Sequence, residues 1–216
     1  MLCKPFFVPC RVMVRYIEVK TILSRLRTPD DLFGIAYNMN VYRGCQHGCI
    51  YCDTRSDCYG VGDISSVAVK ANALALLDRE LRAKGTCRGT IGTGSMNDPY
   101  MPLERSLGMV RKALEVISAR RFPVHVITKS DLVVRDADVL QEIASVYAAV
   151  SFSVTLADDV LARRLEPGAS PPSARLAAME RLAQAGIYTG LAMMPVLPFI
   201  TDSRENIREV LRRAKG

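Results

Sequence analysis

A chain of 216 residues is long enough to bury an ordinary core, and its seven cysteines, an odd number, do not describe a small secreted domain stapled by disulfides. No apolar run reaches the length of a signal peptide or a membrane span, so we expect a soluble, cytoplasmic protein with reduced thiols and no membrane partner. The 29 Lys and Arg residues exceed the 22 Asp and Glu residues, for a net charge of +7, but they are scattered along the chain. Charge alone therefore does not identify a nucleic-acid-binding protein.

Short apolar runs alternate with longer amphipathic segments, which is the pattern of strands and helices in a parallel sheet. The predicted strands are residues 40–43, 89–93, 123–128, 148–155 and 188–194. The predicted helices are residues 67–84, 103–120, 136–147, 158–164 and 173–185, and a last helix that begins at Ser203. No linker, repeat or low-complexity tract interrupts this order. The sequence therefore predicts one α/β domain with about five βα units.

Three cysteines, Cys45, Cys49 and Cys52, lie in one short loop with C-x3-C-x2-C spacing. This spacing lets a single turn of backbone hold three thiolates against one metal cluster. Three thiolates are one short of the four that usually hold a cubane iron–sulfur cluster, so one iron would stay open to a ligand that is not protein. The alternative is a structural zinc site completed by Cys58 or His47, although zinc sites normally contain two separated C-x2-C pairs.

Other unusual polar segments follow the predicted strands, at the end of a parallel sheet where ligands bind. Residues 92–100 follow the second strand, residues 128–131 the third, and residues 195–198 the fifth. Ser151 and Ser153 alternate along the fourth strand, which puts them on one face. Because these loops meet at one rim, the sequence predicts a single large site.

Several motifs occur in the order found in the radical S-adenosylmethionine superfamily, and the chain resembles its branch related to spore photoproduct lyase. The clearest is the cluster motif, with Tyr51 directly before Cys52. The resemblance implies a partial TIM-like βα barrel over residues 16–216, preceded by an N-terminal extension over residues 1–15 that we expect to be disordered. It also implies that Cys45, Cys49 and Cys52 bind a 4Fe-4S cluster whose open iron takes S-adenosylmethionine.

The resemblance implies roles for five further residues by their positions. Ser95 and Asn97 match the segment that meets the methionyl amino group, and Lys129 matches the lysine that reaches the methionyl carboxylate. Ser153 matches the serine that faces the ribose hydroxyls, and Tyr51 is expected near the adenine.

The activity implied by the resemblance is reductive cleavage of S-adenosylmethionine to a 5'-deoxyadenosyl radical, which abstracts a hydrogen atom from the substrate. An external one-electron reductant of the flavodoxin or ferredoxin type would supply the electron. Nucleic acid is one candidate substrate, for repair or modification by a lyase. The alternative is a non-catalytic iron–sulfur or zinc-binding module, or an inactive truncated remnant.

The chain also departs from the lyase. The loop after the second strand lacks the hydrogen-donating cysteine of spore photoproduct lyase, so repair of a thymine photodimer is not implied. The catalytic residue is therefore unknown, and Cys58 is the candidate, while Cys3, Cys10 and Cys87 are expected to be structural or incidental. The motif at residues 166–168 matches the family without a role that its residues explain.

The superfamily core has six βα units, whereas this sequence stops after the helix of its fifth unit. We expect the sixth unit to be missing, so that the edge of the fifth strand is exposed. The sequence therefore predicts a truncated chain or one that needs a partner segment.

Overall fold

A computed structural model of the chain describes residues 14–28, 30–85 and 89–215. The rest of the chain lies outside the described residues, including residues 1–13 of the predicted extension and the thiols of Cys3, Cys10 and Cys87. Within the described part, no helix is both long enough and apolar enough to cross a membrane.

The strands of this part of the chain form two sheets. In chain order they are β1 (Arg15–Ile17), β2 (Leu23–Arg25), β3 (Ile35–Met39), β4 (Tyr42–Arg43), β5 (Ala68–Lys70), β6 (Thr90–Thr93), β7 (Val124–Thr128), β8 (Ala148–Ser153) and β9 (Tyr188–Ala192). The larger sheet has the order β2-β3-β6-β7-β8-β9, and its strands from β3 onward are parallel to one another. The smaller sheet has the order β1-β5-β4.

The helices follow the parallel strands. They are α1 (Ala73–Lys84), α2 (Glu104–Leu107), α3 (Met109–Ala119), α4 (Ala137–Ala144), α5 (Asp159–Leu165), α6 (Pro172–Gln184) and α7 (Arg204–Ala214). Ser203 accepts a hydrogen bond from the Asn206 amide at 3.1 Å, which makes it the predicted N-cap of α7. The α/β prediction is confirmed: five parallel strands, each followed by helix, form a partial barrel in the described residues.

The first βα unit differs from its prediction in two places. The parallel strand is β3, whose alternate residues are buried, and the predicted strand at 40–43 is wrong because Tyr42 and Arg43 pair with β5 in the smaller sheet. The predicted helix at 67–84 begins only at Ala73, because residues 68–70 are held as a strand between β1 and β4. Both errors come from two strands of the smaller sheet, β4 and β5, that lie between β3 and α1.

The predicted helix at 103–120 is divided at Gly108, which has a left-handed backbone with φ of 60°. The Glu104 carboxylate then accepts a hydrogen bond from the Val110 amide at 3.1 Å, which satisfies a free N–H at the start of α3. The buried face of α3 follows the helical repeat at positions i, i+3, i+4 and i+7. Its buried residues are Val110, Ala113, Leu114 and Ile117.

A buried cluster of charges joins the segments that follow β6 and β7. Arg135 donates to Glu104 Oε1 at 2.6 Å and to Asp136 Oδ1 at 2.7 Å, and neither carboxylate is exposed. The hydroxyl of Tyr42 donates to Glu104, and that of Tyr100 donates to Asp136 at 3.0 Å. Buried carboxylates are tolerated when they are paired in this way, so the cluster holds these two segments and the smaller sheet in fixed positions.

The loop after β6 passes very close to the neighbouring strand β7. Gly94 has φ of 106°, and a Cβ atom at this position would overlap the carbonyl oxygen of Ile127. Only glycine permits both this backbone conformation and this approach. The loop is thereby held over the carboxyl ends of the parallel strands.

We expect Gly94→Ala to lower the free energy of unfolding by about 2–5 kcal/mol. An unfavourable backbone conformation costs about 1–2 kcal/mol, and overpacking against a strand costs about 1–3 kcal/mol. Gly108→Ala is the matched control, since Gly108 also has positive φ but has open space where a Cβ would lie. Urea denaturation of both variants measures the difference, and equal losses would show that the close approach to β7 has no energetic weight.

Candidate active site

A cavity of about 500 Å³ lies at the carboxyl ends of the parallel strands. This volume falls within the range of about 300–1,000 Å³ that is typical of small-molecule sites. The side chains and backbone that line it come from the cysteine loop and from the segments after β6, β7 and β9. They are Cys45, His47, Cys49, Tyr51, Cys52, Asp53, Thr54, Ile64, Gly94, Ser95, Met96, Asn97, Asp98, Lys129, Met194 and Pro195. The single large site predicted at this rim is therefore present as a cavity.

The three cysteines of the loop all line this cavity. Cys49 is buried, whereas Cys45 and Cys52 are half-buried. Burial raises the pKa of Cys45 to about 11 and the pKa of Cys49 to about 12. Both side chains would therefore lose a proton when they bind a metal, because the thiolate is the ligand.

A site for a single metal ion needs several ligands around one point, unlike a site for a cubane cluster. In the described part of the chain, no group of three or more His, Cys, Asp and Glu side chains surrounds one point where an ion would bind. A cubane does not require such a point, since each of its cysteines binds a different iron. The candidate thiol Cys58 is exposed, is not among the residues that line the cavity, and contacts Ser56 Oγ at 3.2 Å. Its catalytic role remains a prediction.

One side of the cysteine loop is tied to a buried ion pair. Glu166 and Arg175 bond to each other, and their side chains are 0% and 1% exposed. The hydroxyl of Tyr51 donates to the other oxygen of Glu166, across 115 residues of sequence. Arg175 also donates to the carbonyls of Ser153 at 2.8 Å and Ser170 at 2.6 Å. The ion pair therefore connects the cysteine loop to β8 and α6.

The backbone around Glu166 holds the same loop. The Gly168 amide donates to the His47 carbonyl at 2.8 Å, and the Ile50 amide donates to the Leu165 carbonyl at 2.9 Å. A Cβ atom at Gly168 would overlap the Gln46 carbonyl oxygen, so the contact requires glycine. These contacts account for the motif at residues 166–168, which the sequence alone did not explain: it fastens the cysteine loop to the end of α5.

The other side of the loop is tied to the segments after β6 and β7. His47 is buried with its Nδ1 3.4 Å from Asp98 Oδ2, and burial lowers the pKa of this histidine. Asp98 accepts hydrogen bonds from Thr128 Oγ1 at 2.7 Å and from the Lys129 amide at 2.6 Å. Gln46 accepts one from the Leu103 amide at 2.7 Å. The sequence analysis missed Asp98 as an anchor, although its place in a polar run directly after a strand is the signal that identifies it.

The five polar residues predicted from the resemblance lie in or next to the cavity. Tyr51, Ser95, Asn97 and Lys129 line it, whereas Ser153 does not. The Lys129 ammonium donates to Ser153 Oγ at 2.9 Å and lies 5.9 Å from the centre of the Tyr51 ring. Ser153 in turn donates to the Met194 carbonyl at 2.9 Å. Ser153 is therefore one contact behind the cavity wall and fixes the Lys129 side chain.

The sequence matches the profile of the radical SAM superfamily over residues 39–212. An uncharacterized protein of Mycobacterium tuberculosis is 34% identical over 182 residues, which cover 81% of this chain and 54% of the relative. An uncharacterized protein of Methanocaldococcus jannaschii is 30% identical over 177 residues, which cover 81% of this chain and 65% of the relative. The chain thus spans about half to two thirds of the length of these relatives.

Solved structures of spore photoproduct lyase have the same fold. The lyase complexed with dinucleoside spore photoproduct has a TM-score of 0.71 at 20% identity, and the match covers 93% of this chain and 57% of that chain. A variant of the lyase with bound AdoMet and dinucleoside spore photoproduct has a TM-score of 0.71 at 19% identity, covering 94% and 58%. The recognised fold therefore agrees with the motifs read from the sequence.

We expect Glu166→Gln to lower the free energy of unfolding by about 3–5 kcal/mol, because it leaves the buried Arg175 charge without its partner. The matched control is Glu209→Gln, which removes a carboxylate from an exposed pair with Arg212 on α7. Exposed pairs contribute little, so the control should unfold like the wild type. Denaturant unfolding followed by circular dichroism compares the two, and similar midpoints for both variants would contradict the role given to the buried pair.

Proposed function

The chain belongs to the radical SAM superfamily, and from this membership we propose that it is an enzyme that binds a 4Fe-4S cluster and S-adenosylmethionine. One observation carries the proposal: the three cysteines of the family motif line the same cavity as Tyr51 and Lys129. When bound, the cluster and cofactor supply one-electron cleavage of the sulfonium to a 5'-deoxyadenosyl radical that abstracts a hydrogen atom from the substrate.

The donor set of the loop fits an iron–sulfur cluster. Cys45, Cys49 and Cys52 would each bind one iron, because thiolates are the usual ligands of such clusters. The loop is anchored from both sides through Tyr51 and Gln46, so the thiols are positioned by contacts that do not involve the sulfur atoms. A site whose ligands are held by a second layer of contacts keeps its geometry when the metal binds.

The cofactor would lie between the cysteines and the strand ends. Lys129 provides a positive charge for the methionyl carboxylate, and its contact with Ser153 holds the ammonium in place. Ser95 and Asn97 provide polar groups for the methionyl amino group. Ser153, which lies behind Lys129, is the candidate for the ribose hydroxyls from the resemblance alone. The Tyr51 ring faces the same cavity and is oriented through its hydroxyl, which makes it the candidate surface for adenine.

The remaining walls of the cavity are largely apolar. Ile64, Met96, Met194 and Pro195 contribute apolar surface around the polar groups. Apolar surface beside Lys129 strengthens its charge contact with a bound carboxylate. This chain would thus bind and orient the reactants.

The proposed substrate class is nucleic acid, and the proposed reaction is a repair or modification lyase reaction. Spore photoproduct lyase, which has a similar fold, was solved with a dinucleoside photoproduct bound. The net charge of +7 also favours an anionic partner through long-range attraction. An external one-electron reductant of the flavodoxin or ferredoxin type would reduce the cluster.

We expect the chain reconstituted without oxygen to contain about four irons and about four sulfides, and Cys49→Ala to lose most of them. Cys58→Ala is the control, because Cys58 is exposed and does not line the cavity. Metal analysis and electronic absorption of the three proteins measure the result. If the bound metal were zinc, and if Cys58→Ala lost it as Cys49→Ala does, the result would contradict the iron–sulfur cluster and support a zinc site completed by Cys58.

We expect the reconstituted protein to produce 5'-deoxyadenosine from S-adenosylmethionine under strong reductant, and Lys129→Gln to weaken cofactor binding by roughly 10- to 100-fold. A hydrogen bond to a charged group contributes about 1.5–3 kcal/mol, which corresponds to that range. Lys112→Gln on α3 is the control, since Lys112 is exposed and does not line the cavity. Equilibrium dialysis and product analysis test both. A cluster-bearing wild type that makes no 5'-deoxyadenosine would refute the proposed function.

A further inference from the structure

A second cavity, of about 310 Å³, lies beside the first. Met96 and Asn97 line both cavities, so the loop after β6 forms a shared wall. The other side of this second cavity is formed by the smaller sheet and by the segment around Tyr59. Its lining residues are Ile17, Val19, Asn40, Tyr42, Arg43, Gly44, Tyr59, Gly60, Val61, Lys70, Met96 and Asn97. None of the roles given to the first cavity uses the residues of this sheet.

Two cations line this second cavity. Arg43 pairs with Ala68 in the antiparallel ladder of β4 and β5, and the Lys70 amide bonds to the Val41 carbonyl at 3.0 Å. Arg43 and Lys70 are therefore diagonal neighbours on one face of the smaller sheet. Among the described residues, no Asp or Glu forms an ion pair with either cation.

The positions of these cations favour an anion. Lys70 is half-buried, and burial together with the Arg43 charge lowers its pKa. An anion bound between the two cations would offset this cost, because an opposite charge favours the charged form of lysine. Arg43 already donates to the Gly60 carbonyl at 3.0 Å, which directs its guanidinium along the cavity wall. The second cavity therefore favours an anionic ligand, because no Asp or Glu of the described chain pairs with Lys70 or Arg43.

Two further groups in the second cavity point to a ligand larger than a simple ion. The Asn40 Oδ1 atom is buried and has no hydrogen-bond partner in the described structure. A buried amide oxygen normally accepts a hydrogen bond, and a ligand hydroxyl would provide the donor. The Tyr59 ring is 45% exposed, and its hydroxyl donates to Asp53, a residue of the first cavity, at 3.2 Å. An exposed ring beside two cations is a surface on which a planar base stacks.

We propose that this second cavity binds a phosphate group of the substrate, in a phosphate ester that also carries a hydroxyl, with Lys70 and Arg43 as the contacts to phosphate. The inference rests on the proposed function in one respect, namely that the reacting part of the same substrate enters the first cavity. Because Met96 and Asn97 separate the two cavities, a phosphate held in one places the neighbouring atoms of the ester against the other. A nucleoside monophosphate and a strand of nucleic acid both offer this chemistry.

The test compares Lys70→Gln and Arg43→Gln with the control Lys112→Gln, in the full chain. The control removes the same charge from an exposed position on α3. The ligands are a short single-stranded oligonucleotide and a nucleoside 5'-monophosphate, each titrated at two salt concentrations. We expect Lys70→Gln to weaken binding about tenfold, and for the oligonucleotide to reduce the slope of log affinity against log salt by about one. Lys112→Gln should bind like the wild type.

The outcomes separate the two sources of phosphate. A loss seen only with the oligonucleotide identifies a polymer, and a loss seen only with the monophosphate identifies a small ester; each supports the phosphate subsite. The inference is overturned if the wild type binds neither ligand, if neither Lys70→Gln nor Arg43→Gln weakens binding, or if Lys112→Gln weakens it equally.

The same preparations separate this inference from the proposed function. Formation of 5'-deoxyadenosine by the reconstituted wild type reports on the first cavity alone. Phosphate binding that depends on Lys70, in a protein that does not cleave S-adenosylmethionine, would refute the proposed function and leave the subsite. Cleavage without such binding would refute the subsite and leave the proposed function.

Discussion

The buried ion pair of Glu166 and Arg175 is the interaction on which the site depends. Burying two charges is costly, and such a pair often contributes little net stability compared with apolar residues of the same size. The pair instead fixes the positions of its neighbours. Glu166 accepts a hydrogen bond from the Tyr51 hydroxyl, and Arg175 donates to the carbonyls of Ser153 and Ser170. A loop of three cysteines, a barrel strand and a helix are therefore joined at one point, and a shift of the loop or the strand would break a hydrogen bond to a buried charge.

The opposite side of the cysteine loop is held by weaker contacts. Gln46 meets the Leu103 amide, and His47 meets Asp98, whose carboxylate also fixes the backbone after β7. The loop is thus held between two neighbouring groups of strand ends. The side-chain anchors of the loop are Gln46 and Tyr51 rather than the cysteines, which leaves the thiols available to bind a cluster. This separation of anchoring from ligation is what a preorganised metal site requires.

The limits of sequence reasoning follow from the distance over which each contact acts. The alternation of apolar and amphipathic segments located four of the five parallel strands, and the rule that ligands bind at strand ends placed Lys129 at the predicted site, where it lines the cavity. The role of Glu166 could not be predicted, because its partner Tyr51 is 115 residues away and no local pattern records such a pair. The smaller sheet was also missed: strands of two or three residues are too short to show a period.

That smaller sheet changes how the two cavities relate to each other. The first cavity is lined by the cysteine loop and by the segments after β6, β7 and β9, whereas the second is lined mainly by the smaller sheet and the segment around Tyr59. Loops at this rim can vary without disturbing the barrel, which is how one fold serves many substrates. Contacts made by Arg43 and Lys70 could therefore change while Glu166 and Arg175 continue to hold the cysteine loop. Recognition of the substrate and activation of the cofactor would then rest on different residues, in two cavities that share the wall at Met96 and Asn97 and are linked by the hydrogen bond from Tyr59 to Asp53.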